Sequence, residues 1–159
     1  MVYDRDKAVA YARQWARGRN PAYCDFSALG GDCTNFISQC LYAGCGVMNY
    51  TSDTGWYYTS PANRTAAWSG VEFLRRFLIA NKADGPYAAE TPLENARPGD
   101  VIQLSFDGSV FSHSLLAVSV NPELLAAAHS DDAFDRPLRL YRYQLARLLR
   151  IEGVRAGTN

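Results

Sequence analysis

Gly30-Gly31-Asp32-Cys33-Thr34-Asn35-Phe36-Ile37-Ser38-Gln39-Cys40 is the stretch on which the reading of this chain turns. Two glycines end whatever precedes them. Asp32 has the side chain of a helix N-cap, a carboxylate able to accept a bond from an amide one turn in. Phe36, Ile37, Cys40 and Leu41 then recur at helical spacing, and Gly44 is placed to stop the helix. The spacing predicts a half-buried helix over roughly Cys33 to Ala43, with Cys33 in its first turn. There the unpaired amides and the helix dipole favour a thiolate over a thiol, and a thiolate is a nucleophile.

Outward from this helix, Ala8, Val9, Ala12, Trp15 and Ala16 mark an amphipathic helix from Asp4 to about Arg17, broken by Asn20-Pro21. The segment from Gly46 to Ala67 has no clean period. It carries Tyr50, Trp56, Tyr57 and Tyr58, too aromatic for a disordered linker, so an ordered loop region lying against the body is expected. Trp68, Val71, Leu74, Phe77 and Leu78 predict a third helix ending near Asn81, and Asp84-Gly85-Pro86 opens another loop. After Pro98-Gly99 the pattern changes to strands: Val101 to Phe106, His113 to Val120, Leu124 to Ser130 and Leu138 to Tyr143. A short helix over Gln144 to Ile151 closes the chain. Helices first and a meander of strands afterwards predict an α+β fold, with N-terminal helices packed on a C-terminal antiparallel β-sheet.

The 159 residues suffice for one domain with a real core and are too few for two. Sixteen basic and sixteen acidic residues cancel, which argues against a nucleic-acid partner, since that needs surplus positive charge. No apolar run approaches the ~20 residues of a membrane span, and the charged, amphipathic start does not read as a signal peptide. An intracellular protein and a domain of a longer secreted or cell-surface protein both remain open. Cys24, Cys33, Cys40 and Cys45 form no CxxC pair, which weakens a structural zinc reading. Cys33 and Cys40, seven apart on one helix, are about 10 Å apart along the axis and beyond disulfide reach.

A cysteine nucleophile needs a base, and the base an orienting partner. The chain has two histidines, His113 and His129. In a hairpin where Val118 faces Leu124, His113 lies across from His129 on one sheet face. A register slipped by two would set Asp131 there instead. Either arrangement gives His113 a polar neighbour, and Ala126-Ala127-Ala128 would let a helix approach the sheet closely. The bland alternatives are a core cysteine and two hydrogen-bonded strand histidines.

Taken together, these residues resemble the putative amidase domain family, related to NlpC-type and CHAP-type peptidases and more distantly to papain. The resemblance runs from Tyr3-Asp4-Arg5, Ala8 to Ala12, Trp15 and Arg19-Asn20-Pro21 to its peak at Gly31 to Gln39. It resumes at Trp56-Tyr57-Tyr58, Pro98 to Ile102, His113-Ser114 and Ala128-His129-Ser130. Departures are mild: Ile37 where valine is usual, and Leu115-Leu116-Ala117 after the histidine. The resemblance implies a papain-like, NlpC-type fold and a single cysteine hydrolase domain over residues 1–159. It implies Cys33 as nucleophile, His113 as base and His129 as third catalytic residue, on the strand after the catalytic histidine. Tyr23 resembles a tyrosine that NlpC-type enzymes can place near the cysteine as an oxyanion donor.

The expectation is therefore a cysteine amidase or peptidase that cleaves an amide bond through a thioester. Its substrate would be a peptide or peptidoglycan-derived amide, and no metal or organic cofactor would be needed. Asp32 and Trp56 are further candidates for substrate or oxyanion contacts, against plainer readings as a helix cap and a buried core residue. The alternatives are an acyltransferase or transpeptidase using the same thioester, and a non-catalytic binding module on a peptidase fold.

Overall fold

A computed structural model describes residues 1–157. Helix α1 (Arg5–Trp15) starts at Asp4, whose carboxylate accepts from the Lys7 amide at 3.0 Å. Helix α2 (Cys33–Cys45) is buried along most of its length. It runs past Gly44 and ends at Gly46, the residue that adopts the left-handed conformation. Gly44 serves packing instead of stopping the helix: a Cβ there would sit 2.6 Å from the Tyr3 ring and 2.8 Å from the Asp4 carbonyl. The close approach lets the Asp4 amide donate to Gly44 O at 2.8 Å.

The aromatic loop is ordered, as expected. It contains a small hairpin of β1 (Tyr58–Ser60) and β2 (Asn63–Arg64), and Trp56 and Tyr58 are buried in the main core. The third predicted helix is two helices, α3 (Ala66–Ser69) and α4 (Val71–Ala80), separated by extended backbone at Gly70.

Six antiparallel strands follow: β3 (Gly85–Thr91), β4 (Val101–Ser105), β5 (Phe111–Ser119), β6 (Leu125–Ala128), β7 (Ala133–Pro137) and β8 (Leu145–Arg155). They form one sheet in the order β3-β8-β4-β5-β6-β7. The molecule is thus α+β, with helices on one sheet face. That face meets α1, α2 and α4 through Val101, Leu116, Ala127 and Leu149. The opposite face carries a second apolar cluster, Ile102, Leu104, Leu115, Ala126, Ala128 and Leu148, covered by loop residues such as Leu138 and Tyr141.

Three sequence expectations fail here. Asp84-Gly85-Pro86 leads into edge strand β3. Leu138 to Tyr143 is a short 3-10 turn and loop, and the strand at that point is the earlier β7. Gln144 to Ile151 is the start of the longest strand, lying between β3 and β4. Its leucines, alanine and arginines favour helix locally, but pairing on both edges and burial on both faces override that preference. The Pro98-Gly99-Asp100 turn anchors this arrangement. Buried Asp100 receives Arg5 Nη1 at 2.8 Å and the Ile151 amide at 3.0 Å, tying α1 to β4 and β8.

Candidate functional site

Cys33 is the first residue of α2 and is partly exposed. Gly30 and Gly31 precede it at φ +101° and +114°, a turn that side-chain-bearing residues rarely adopt. The next residue, Thr34, fixes the helix start to the sheet: its Oγ1 lies 2.9 Å from Ser114 Oγ on β5. Gln103 Nε2 is 3.3 Å from Ser114 Oγ, and Gln103 Oε1 accepts from Arg147, which in turn donates to Glu72 at 2.7 Å. The Arg147 hydrogen bond holds the Glu72 carboxyl below its usual pKa.

Asp32 occupies the N-cap position, but its side chain does not cap. The carboxylate turns inward and accepts from the Phe26 amide at 2.8 Å, Asn35 Nδ2 at 2.8 Å and His129 Nδ1 at 2.6 Å. Arg19 Nε stands 3.8 Å away. Asp32 lies at the edge of the cavity that Cys33 reaches, but only 1% of it is exposed and these partners occupy its oxygens. The inward turn also leaves the first-turn amides of α2 without a side-chain acceptor from the cap.

His129 belongs to this same cluster. Its ring stacks on Phe36 with centroids 4.0 Å apart, and Nε2 lies between Trp15 O at 2.9 Å and Arg19 Nη1 at 3.1 Å. Both nitrogens are therefore engaged away from His113, and the expected orienting contact is not made. The reason is register. Leu116 pairs with Ala127 and Ala117 with Ala126, and the hairpin is irregular between Ala117 and Ser119. That one-residue offset from the expected pairing turns the two histidines to opposite faces.

His113 pairs with Leu104 and shares its face, with the Phe106 and Tyr141 rings each 6.1 Å away. Strand β6 stops at Ala128, before it could cover the start of β5. An open cavity of about 850 Å³ occupies that end of the sheet. Cys33 reaches it from the helix side and His113 from the strand, with Asp131 and Tyr141 among the other residues around it. The sulfur's neighbour at hydrogen-bond range is Thr34 Oγ1 at 3.7 Å; no hydrogen bond joins it to His113 among the described residues. Burial lowers the His113 pKa, and the Asp131 charge opposes that shift.

Two expected site residues lie elsewhere. Trp56 is fully buried, donating from Nε1 to Ser38 Oγ at 3.0 Å and packed on Trp68. Tyr23 packs between Tyr58 and Trp68 outside the cavity, where burial pushes its pKa up to about 12. Both are aromatic packing residues.

A family model for the "Putative amidase domain" matches residues 2–151. This chain belongs to that family. Its description points to hydrolysis of an amide bond. Among curated proteins, the Uncharacterized protein YhbB of Bacillus subtilis (strain 168) is 32% identical over 145 residues, 89% of this chain. The match spans 45% of that relative, so the chain covers about half the relative's length. No solved structure matches.

In this member of the amidase family, the cavity also holds three residues that the sequence reading did not single out: Arg136, Tyr141 and Arg142. Alternation and motif spacing carry no signal for them. Arg136 comes from strand β7, and Tyr141 and Arg142 from the loop that replaces the expected fourth strand.

Proposed function

We propose that this protein is a cysteine-dependent amidase or endopeptidase. The observation that carries the reading is the convergence of Cys33, at a helix start, and His113, from a strand, on one open cavity of an amidase-family domain. A relation to the NlpC-type and CHAP-type peptidases accords with a cysteine helix packed on an antiparallel sheet.

In the proposed reaction, Cys33 Sγ attacks the amide carbonyl carbon and its proton passes to His113. Burial lowers the His113 pKa and so favours the neutral ring that this step requires. First-turn amides of α2 stabilise the oxyanion, an interaction commonly worth ~10²–10³ in rate per donor. The intermediate collapses to a thioester as His113 returns the proton to the departing amine. Water then attacks the thioester, again deprotonated by His113, and the thiol leaves. The sulfur and the ring meet only when substrate is engaged, as proton-transfer contacts often tighten at that stage. Asp131, whose charge acts on His113, favours the transient imidazolium. His129 acts through structure, holding Asp32.

Bacterial cell-wall peptide is the proposed substrate, a polymer of amide bonds that peptidases of this architecture open. Incubation with purified peptidoglycan fragments, followed by mass spectrometry, should show mass gain of one water and a new amine and carboxyl terminus. Intact fragments after prolonged incubation with iodoacetamide-reactive enzyme would sink the substrate assignment.

The pH profile tests the base. A lowered His113 pKa places the acid limb of kcat/KM below the ordinary histidine value of about 6.5. Between the folded and unfolded pKa values the unfolded chain binds the extra proton, so stability also declines as pH falls through that window. An acid limb centred at pH 7 or above would remove His113 from the role.

A further inference from the structure

We propose that the cavity wall formed by Arg136, Tyr141 and Arg142 binds a carboxylate of the amide substrate, so that the enzyme selects amides bearing a free carboxylate near the scissile bond. This rests on reading the Cys33 cavity as the reaction site. The wall carries two exposed guanidinium groups and one buried hydroxyl that can donate. The Arg136 guanidinium lies over the Tyr141 ring, 4.7 Å from its centroid, and only Nη2 is engaged, on the Leu140 carbonyl at 3.3 Å. Among the described residues, no carboxylate pairs with Arg136 or Arg142, whereas Arg19, Arg139 and Arg147 are paired with Asp132, Glu123 and Glu72. The Tyr141 hydroxyl is buried without a hydrogen-bond partner. Burial raises its pKa, so it keeps its proton and can donate. A buried donor without an acceptor is costly, and an incoming acceptor relieves that cost.

Asp32, Asp131 and Asp132 line the same cavity. Asp32 is enclosed by its own partners, and Asp132 is bound by Arg19 at 2.9 Å. Among the described residues Asp131 is exposed and makes no ion pair, and its charge acts on both His113 and Tyr141. The planar fork of arginine matches a carboxylate in two-point contact.

The test uses the full chain with Cys33→Ala, so that binding is read without turnover and fails independently of the catalytic assignment. Calorimetry compares three short peptides, each carrying one carboxylate at a different distance from a central amide, with the same peptides carboxyl-amidated. For at least one pair, amidation should weaken binding about tenfold or more. Arg142→Gln and Arg136→Gln, each added to Cys33→Ala, should shrink that ratio towards one while leaving the affinity of the amidated peptide in place. Equal binding of acid and amide in all pairs, or no binding by any, overturns the proposal. So does an unchanged ratio in both arginine variants, or inorganic phosphate competing more strongly than acetate. A catalytic failure would show separately, as turnover by Cys33→Ala.

Discussion

Cys33→Ala should leave a folded protein with no turnover. If Cys33 is the nucleophile proposed, its loss removes the thioester route itself, and losses on the order of 10⁶ in kcat are typical when such a group is deleted. Stability should move little. The cysteine side chain is partly exposed, and among the described residues its hydrogen-bond-range neighbour is Thr34 Oγ1 at 3.7 Å. Alanine is the strongest helix former, and substitutions at such positions usually stay within about 0.5 kcal/mol. Hydrolysis of the fragment identified by mass spectrometry, set beside urea unfolding of both proteins, separates the two effects. Wild-type rates in the alanine variant would end the nucleophile assignment. A large fall in unfolding free energy would instead make Cys33 a structural residue, because lost activity would then follow from lost fold.

The elements legible beforehand were those whose local pattern and tertiary setting agree. The helix beginning at Cys33 shows its apolar spacing plainly, because one side faces the sheet and the other meets α1. Strands β4 and β5 were legible from their apolar runs and the turn between them. Strand β8 was not, because its arginines, leucines and alanine describe a helix locally. Only β3 and β4, pairing along its two edges, make it a strand. Edge strand β3 hid behind Gly85-Pro86, residues that ordinarily signal a turn.

The site divides the same way. The two residues proposed to react, Cys33 and His113, stood out by motif and scarcity, and both line one cavity. The partner of His113 could not be read, because one irregularity between Ala117 and Ser119 reverses every side chain beyond it. Sequence carries hydrophobic alternation well but carries a single inserted residue poorly, especially beside three consecutive alanines that fit either face. The wall of Arg136, Tyr141 and Arg142 was invisible for a related reason: Arg136 lies on a strand that was not expected, Tyr141 and Arg142 lie in a loop without period, and only the path of the chain around the sheet end gathers them.

Asp32→Ala should cost about 3 kcal/mol or more, because three buried donors each lose an acceptor, at roughly 1–3 kcal/mol for a buried donor left unsatisfied. A helix cap would cost only about 1 kcal/mol, so the size of the effect decides between the two readings. The larger figure follows from what the carboxylate holds. The Phe26 amide, the Asn35 carboxamide and the His129 ring converge on it at 2.8, 2.8 and 2.6 Å, and it is almost wholly enclosed. Alanine would leave these donors facing an apolar gap. It would also free the turn through Gly30 and Gly31, which sets the position of Cys33. Asp32→Asn keeps the volume and one acceptor oxygen but presents an amide group to donors, so its loss should be intermediate. It also supplies a measurable value if the alanine variant is unfolded at 25 °C. Urea unfolding of the three proteins gives the ordering. A loss near 1 kcal/mol in Asp32→Ala would return Asp32 to an ordinary cap. It would also leave the union of α2, the preceding loop and His129 without the buried charge argued to hold it.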